Sequence, residues 1–231
     1  MRPAVHGLLL IAGVAGLALA ARADVFWRLP KTAGTRLAAL GGSRMYATDV
    51  QVNGAPGTLA AFAFDTPPSQ ITATLARQIG ASRAAPSEAA MLTHAENGKL
   101  ERYFVLPSPA LGEGCVVLAF DQPLRDAAKA KQAPPDWPAG VPALAAEPLF
   151  TAVCAKTRAT FVTAESSATP EGAVQDAAQT LRGAGWEEIP PSMPTFKLFT
   201  SGRKQCVVFA SRAPQSERTT ISLLQREGAT P

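Results

Sequence analysis

The chain has 231 residues, 47% of them hydrophobic, and its 22 Lys and Arg residues against 18 Asp and Glu residues give a formal net charge of +4. This length is enough for one large domain or two small ones. The basic residues are scattered along the chain, and so small a charge argues against nucleic acid or a membrane surface as the partner.

The N-terminal sequence predicts an export signal over residues 1–23. Arg2 precedes an uncharged run of Leu, Ala, Val and Gly, and Ala21-Arg22-Ala23 fits the small-x-small pattern of a cleavage site. Cleavage would remove Arg2 and Arg22, which lowers the 22 basic residues to 20 against 18 acids, a net charge of +2. The apolar run is shorter than the roughly 20 residues of a spanning helix, so membrane attachment is expected only through an uncleaved signal. We predict a periplasmic or secreted protein.

The rest of the chain is expected to hold two folded units joined by a linker. The linker is indicated by an Ala- and Pro-rich stretch containing Pro134-Pro135-Asp136-Trp137-Pro138, with a short helix near residues 124–131. The predicted divisions are a lead-in (24–42), a first α+β unit (43–121), the linker (122–148), a second α+β unit (149–227) and a tail (228–231).

The first unit begins with a β-hairpin. Strands are predicted over residues 45–52 and 59–64, and Asn53-Gly54 supplies the turn between them. A helix opens at Pro68 and ends at Gly80, and its apolar face consists of Ile71, Leu75, Ala76 and Ile79. Three strands follow, over residues 91–94, 100–106 and 115–120, with Asn97-Gly98 as a turn.

The second unit contains the clearest helix of the chain. Thr169 suits the N-cap, Pro170 the first helical position and Glu171 the first turn. Gly183 and Gly185 end this helix before Trp186. Strands are predicted before it, over residues 149–154 and 160–164, and after it, over 195–200, 205–210 and 219–225, with a Pro-rich connector over 189–194.

The two halves have the same order of predicted elements. Each has two strands, a helix that starts with proline and further strands, and Cys115-Val116-Val117 is matched by Cys206-Val207-Val208. We therefore predict an α+β fold of two tandem, duplicated β-β-α-β-β units, each an antiparallel sheet with one helix on a face. The alternative is coincidence, since β-α-β patterns are common and the Cys-Val-Val match is short.

The supply of histidine limits the chemistry that the chain can perform. His6 lies in the predicted signal, which leaves His94 alone to serve a Ser-His-Asp or Cys-His arrangement, and no Gly-x-Ser-x-Gly motif accompanies it. One histidine and three dispersed cysteines do not supply paired metal-ligand spacings. No glycine-rich loop opens a helix to hold phosphate. We predict no catalytic residue, no cofactor and no metal site, with His94 a surface or turn residue.

One stretch carries residues typical of an enzyme family. Val50-Gln51-Val52-Asn53-Gly54, Phe62-Ala63-Phe64-Asp65-Thr66 and Ile79-Gly80 resemble the opening of a retropepsin-like aspartic peptidase, in which a strand delivers Asp-Thr-Gly. The resemblance implies that Asp65 is catalytic. Position 67 is Pro where the family has Gly, which removes a backbone N–H and the tight turn. No second such motif is present, so the catalytic dyad would require a homodimer. The other interpretation makes Asp65 a strand-end or helix-cap residue.

The three cysteines suit an oxidising compartment and predict one disulfide and one thiol. Cys154 and Cys206 are the first choice for the disulfide, because both lie in predicted strands of the same half. Cys115 with Cys206 is the alternative, which would join equivalent positions of the two halves.

These observations favour an exported, non-enzymatic envelope protein. Its predicted role is that of an interaction or accessory module of a periplasmic or secretion-type assembly, with another envelope protein as the partner, since sheet edges can accept a partner strand. Two alternatives remain. One is a degenerate retropepsin-like peptidase centred on Asp65, and the other is a periplasmic protein that binds a small ligand between the halves.

Overall fold

The computed structural model describes residues 33–81, 90–108, 112–130, 135–212 and 218–228. The predicted signal, residues 24–32 of the lead-in and residues 229–231 of the tail lie outside the described residues. The chain forms two compact units. One contains the described residues up to Asp49 together with Pro56–Ala127, and the other contains Val50–Ala55 and the described residues from Ala128 onward.

In the first half of the chain, the described residues form three helices and five strands. Both turns with an Asn-Gly sequence are confirmed: Asn53 (φ 47°) and Gly54 (φ 76°) form one, and Asn97 (φ 50°) and Gly98 (φ 73°) the other, in the left-handed conformations that two-residue hairpins need. The elements are α1 (Ala33–Ala39), β1 (Ser43–Val52), β2 (Ala55–Phe64), α2 (Pro68–Gln78), β3 (Ala90–Glu96), β4 (Lys99–Pro107), β5 (Cys115–Pro123) and α3 (Leu124–Ala130).

The core of the first unit lies between its strands and two helices. α2 buries the predicted apolar face, and Leu37 of α1 is fully buried in the same core. Burial of one such leucine contributes about 1.5–3 kcal/mol. The strands contribute alternate residues to this face, among them Phe62, Leu92, Tyr103, Val105, Val117 and Ala119.

In the second half, the part of the chain that the structure describes forms one helix and six strands. The predicted helix start is confirmed: Pro170 is the first helical residue, and the Thr169 hydroxyl accepts a hydrogen bond from the Gly172 backbone N–H at 3.1 Å. Trp186 is buried beyond the helix end. The elements are β6 (Glu147–Cys154), β7 (Ala159–Ser166), α4 (Pro170–Gly183), β8 (Glu187–Met193), β9 (Phe196–Ser201), β10 (Lys204–Arg212) and β11 (Thr219–Glu227).

The core of the second unit is built by α4 against its strands. Val174, Ala177 and Leu181 of the helix are buried against strand residues such as Val162, Val208 and Leu223. Val141 and Trp137, which lie in the predicted linker, pack in this core as well. Part of that stretch is therefore bound to the second unit.

The predicted fold class is wrong. The sequence predicts two small sheets, each with one helix. The eleven described strands instead form one antiparallel sheet with the strand order β3-β4-β5-β2-β1-β6-β7-β11-β10-β9-β8. The sheet is continuous between β1 and β6, because Gln51 and Val52 at the end of β1 pair with Val153 and Ala152 of β6. The Asn53 backbone N–H donates to the Thr151 carbonyl at 2.9 Å, and the Thr151 N–H donates to the Asn53 side chain at 2.7 Å. This short pairing joins residues about 100 positions apart in the sequence, so no local pattern predicts it.

Three local expectations also need correction. The lead-in contains helix α1, whose Leu37 side chain is fully buried in the core. The Pro-rich connector is strand β8, which tolerates prolines because it lies at an edge of the sheet. The Cys-Val-Val match does not mark equivalent strands. β5 lies next to β2, the strand that precedes the helix of the first unit, whereas the strand next to β7 in the second unit is β11 and not β10.

Candidate functional site

The clearest candidate for a functional surface is the edge formed by β3. All seven residues of β3 pair with β4, from Ala90 opposite Val105 to Glu96 opposite Lys99. Among the described residues, no strand pairs with its other side, where the order ends. Alternate residues of an antiparallel strand point their N–H and C=O groups to one side. Three or four residues of β3 therefore present backbone groups outward that no described strand pairs with, and such groups can pair with another strand.

The side chains beside this edge form a charged cluster, which we call the polar corner: Arg36 of α1, His94 and Glu96 of β3, and Glu101 and Tyr103 of β4. His94 lies directly opposite Glu101, which in turn lies opposite Asp121 of β5. Tyr103 belongs to the core covered by α1 and α2. Since strand side chains alternate between faces, the whole row lies on this helix-covered face.

Arg36 connects the exposed and the buried parts of the polar corner. Its Nη2 atom is 3.2 Å from Glu96 Oε2 and 3.8 Å from Glu101 Oε2. His94 Nε2 is 3.3 Å from the same Glu96 oxygen. The Tyr103 hydroxyl donates a hydrogen bond to Glu101 Oε2.

The two glutamates of the polar corner differ in exposure to solvent. The side chain of Glu96 is 45% exposed, whereas that of Glu101 is 1% exposed. Glu101 Oε1 and Arg36 Nε are buried without a hydrogen-bond partner among the described residues. A buried polar atom without a partner costs about 1–3 kcal/mol. The polar corner therefore carries hydrogen-bonding capacity that the described chain does not use.

The protonation equilibria follow from these contacts. Burial raises the pKa of Tyr103 far above its usual range, with the hydrogen bond to Glu101 acting in the same direction, so the phenol remains a donor. The hydrogen bond from His94 lowers the pKa of Glu96, and Arg36 adds to the effect. Burial raises the pKa of Asp121, although Lys99 Nζ lies 3.4 Å from its carboxylate and opposes the shift.

The opposite edge, β8, differs in ways that discourage pairing with another strand. It contains Pro190 and Pro191, which lack the N–H that a ladder needs, and its register with β9 shifts between Ile189 and Met193. Glu188 ties this edge to the rest of the second unit, since its carboxylate accepts hydrogen bonds from Lys197, Ser192 and Arg182. The Lys197 contact is the main cause that lowers the pKa of Glu188 to about 2.

Asp65 lies where the sequence places it, after the last residue of β2. Its side chain is exposed, and the N-cap position of α2 is occupied by Pro67, whose side chain makes no capping hydrogen bond. The interpretation of Asp65 as the side chain that caps α2 is therefore not supported. Its role as a peptidase residue stays a prediction.

The cysteines are buried, and none forms a disulfide. Cys154 lies on β6 and Cys206 on β10, with β7 and β11 between them. Three strand spacings amount to roughly 14 Å, well beyond the roughly 7 Å that a disulfide can bridge between Cα atoms. The structure thus keeps the first-choice pair apart. Cys115 lies in the core of the first unit.

Sequence reasoning named His94 but missed its neighbours. A signal for Glu101 was available, because period-two alternation in β4 places it on the same face as Tyr103 and Val105, where an acid is unusual. No signal pointed to Arg36, which lies 60 residues before Glu96.

The described residues contain no group of three or more His, Cys, Asp and Glu side chains arranged to hold a metal ion. Within these residues, no helix has the length and apolarity needed to cross a bilayer. No family model, curated protein or solved structure matches the chain.

Proposed function

We propose that the protein is an exported, non-enzymatic interaction module of the bacterial envelope, which binds an extended segment of another envelope protein along β3. The single observation that carries this proposal is the edge itself. β3 is fully paired on one side over seven residues and has no described partner on the other. The export signal that the sequence predicts over residues 1–23 supports the proposed compartment.

The contrast between the two edges supports β3 over β8 as the binding strand. Natural sheets protect edges with prolines, bulges and charges because an unprotected edge recruits other strands. β8 has both prolines and a register shift. β3 has neither, and its residues that face away from the helices, Met91, Thr93 and Ala95, are uncharged.

The backbone of β3 can supply useful affinity. Each added backbone hydrogen bond contributes about 0.5–1.5 kcal/mol net, and several form together along the strand. Side chains next to the edge would then select the partner.

Photo-crosslinking in cells tests the proposal. A benzophenone amino acid replaces Thr93, which is exposed on β3, and in a matched control it replaces Glu187, which is exposed on β8. We expect an adduct with an envelope protein from position 93 and little from position 187. Equal adducts at both positions, or none at either, would contradict the proposed edge. Fractionation of the same cells tests export, with a mature chain beginning at Asp24 as the expected product.

A further inference from the structure

The charges beside β3 indicate what kind of segment it binds, an inference that rests on the proposed function. The helix-covered face at this edge carries the carboxylates of Glu96, Glu101 and Asp121. The cations in contact with them are Arg36 and Lys99. Three carboxylates against two cations leave one negative charge when histidine is counted as neutral.

Neither cation is devoted to Glu96 alone. Lys99 lies opposite Glu96 in the register, but its Nζ is 3.4 Å from Asp121 Oδ2 on the far side of β4. Arg36 is shared between Glu96 and Glu101. Glu96 has the largest exposed fraction of the three acids, 45% against 1% for Glu101 and 5% for Asp121, and it lies on the edge strand itself.

A strand added along β3 would place alternate side chains on this same face. One of them would lie opposite Glu96 or one diagonal step away, within reach of a long side chain. A lysine or arginine there would balance the remaining charge, whereas an acid would be repelled. Arg102 lies on the opposite face, since it is offset by one residue from Glu101, and its Nη1 donates to Gln122 there.

We infer that the partner of β3 is an extended, basic segment that places a lysine or arginine beside Glu96. The rest of its sequence is less constrained, since Thr93 and Ala95 on the other face are small and exposed. The partner segment thus needs one positive charge on one face, and the backbone hydrogen bonds along β3 supply the remaining affinity.

Synthetic peptides separate this inference from the proposed function. Three labelled nonapeptides alternate Thr and Val and carry Lys, Gln or Glu at the centre, and their dissociation constants are measured by fluorescence anisotropy with the mature chain. A favourable cross-strand charge pair predicts that the Lys peptide binds about two- to fivefold more tightly than the Gln peptide, with the Glu peptide weakest. Glu96→Gln is expected to remove the advantage of Lys. Glu113→Gln, an exposed acid before β5, is expected to preserve it.

Other binding results would overturn different parts of the inference. Equal binding of all three peptides would overturn the charge requirement while leaving strand pairing at β3 intact. Loss of the Lys advantage in both glutamine variants would overturn the assignment to Glu96. No binding of any peptide at millimolar concentration would overturn this inference together with the proposed function.

Discussion

The Glu188 network offers a quantitative test of the electrostatics at the β8 edge. Glu188 accepts hydrogen bonds from Lys197 at 2.6 Å and Ser192 at 2.7 Å and pairs with Arg182 at the end of α4. Its pKa falls from an ordinary value of 4.5 to about 2. Without solvent screening, a change of this size would correspond to roughly 3 kcal/mol. Solvent screening near the surface reduces this to about 1 kcal/mol.

The sign of the pH dependence follows from the direction of the shift. Because the pKa is lower in the folded state, the stabilisation is complete above pH 4.5 and disappears as the pH falls toward 2. Glu188→Gln should therefore lower the free energy of unfolding by about 1 kcal/mol at neutral pH. At pH values near 3 the difference should fall below half of that value.

Urea unfolding followed by circular dichroism measures both quantities, with Glu187→Gln as the matched control on the same strand. A loss that is identical at pH 7 and pH 3 would refute the electrostatic explanation and point to lost packing. A loss that the control variant shares would show that the network itself contributes nothing.

Three further predictions concern the packing of the units. Thr169→Ala should lower the free energy of unfolding by about 1 kcal/mol through loss of the N-cap. Thr180→Ala within the same helix should not lower it, and equal losses in chemical denaturation would contradict the capping role. Leu75→Ala should cost about 2–5 kcal/mol because it leaves a cavity in the first core, whereas the exposed Leu124→Ala should change the melting temperature little. Burial raises the pKa of Cys206 to about 12, so a thiol reagent at pH 8 should label it only on unfolding, and rapid labelling of the native protein would contradict its burial.

Local signals were sufficient to predict most individual elements. Asn53-Gly54 specifies a hairpin because both residues tolerate the left-handed conformation. Thr169-Pro170 specifies a helix start because the hydroxyl and the proline ring satisfy requirements of the first turn. In both cases the determinants lie within a few residues of each other.

The arrangement of these elements depends on contacts that the sequence does not display. Gln51 and Val52 pair with strand residues about 100 positions later, and that pairing decides between one sheet and two. α1 is a helix largely because Leu37 is buried by elements that follow it. The polar corner is likewise formed by α1, β3 and β4 together, so Arg36 gains its role only in the folded unit.

The most direct test of the proposed binding edge is amide hydrogen exchange along β3, measured by NMR with and without the Lys nonapeptide. In the protein alone, amides that point away from β4 should exchange much faster than the alternate amides that pair with it. Addition of the peptide should slow the outward amides of β3 and leave those of β8 unchanged. Outward amides that are already protected in the protein alone, or that remain unprotected when the peptide is bound, would contradict the claim that β3 is an open edge that binds a strand.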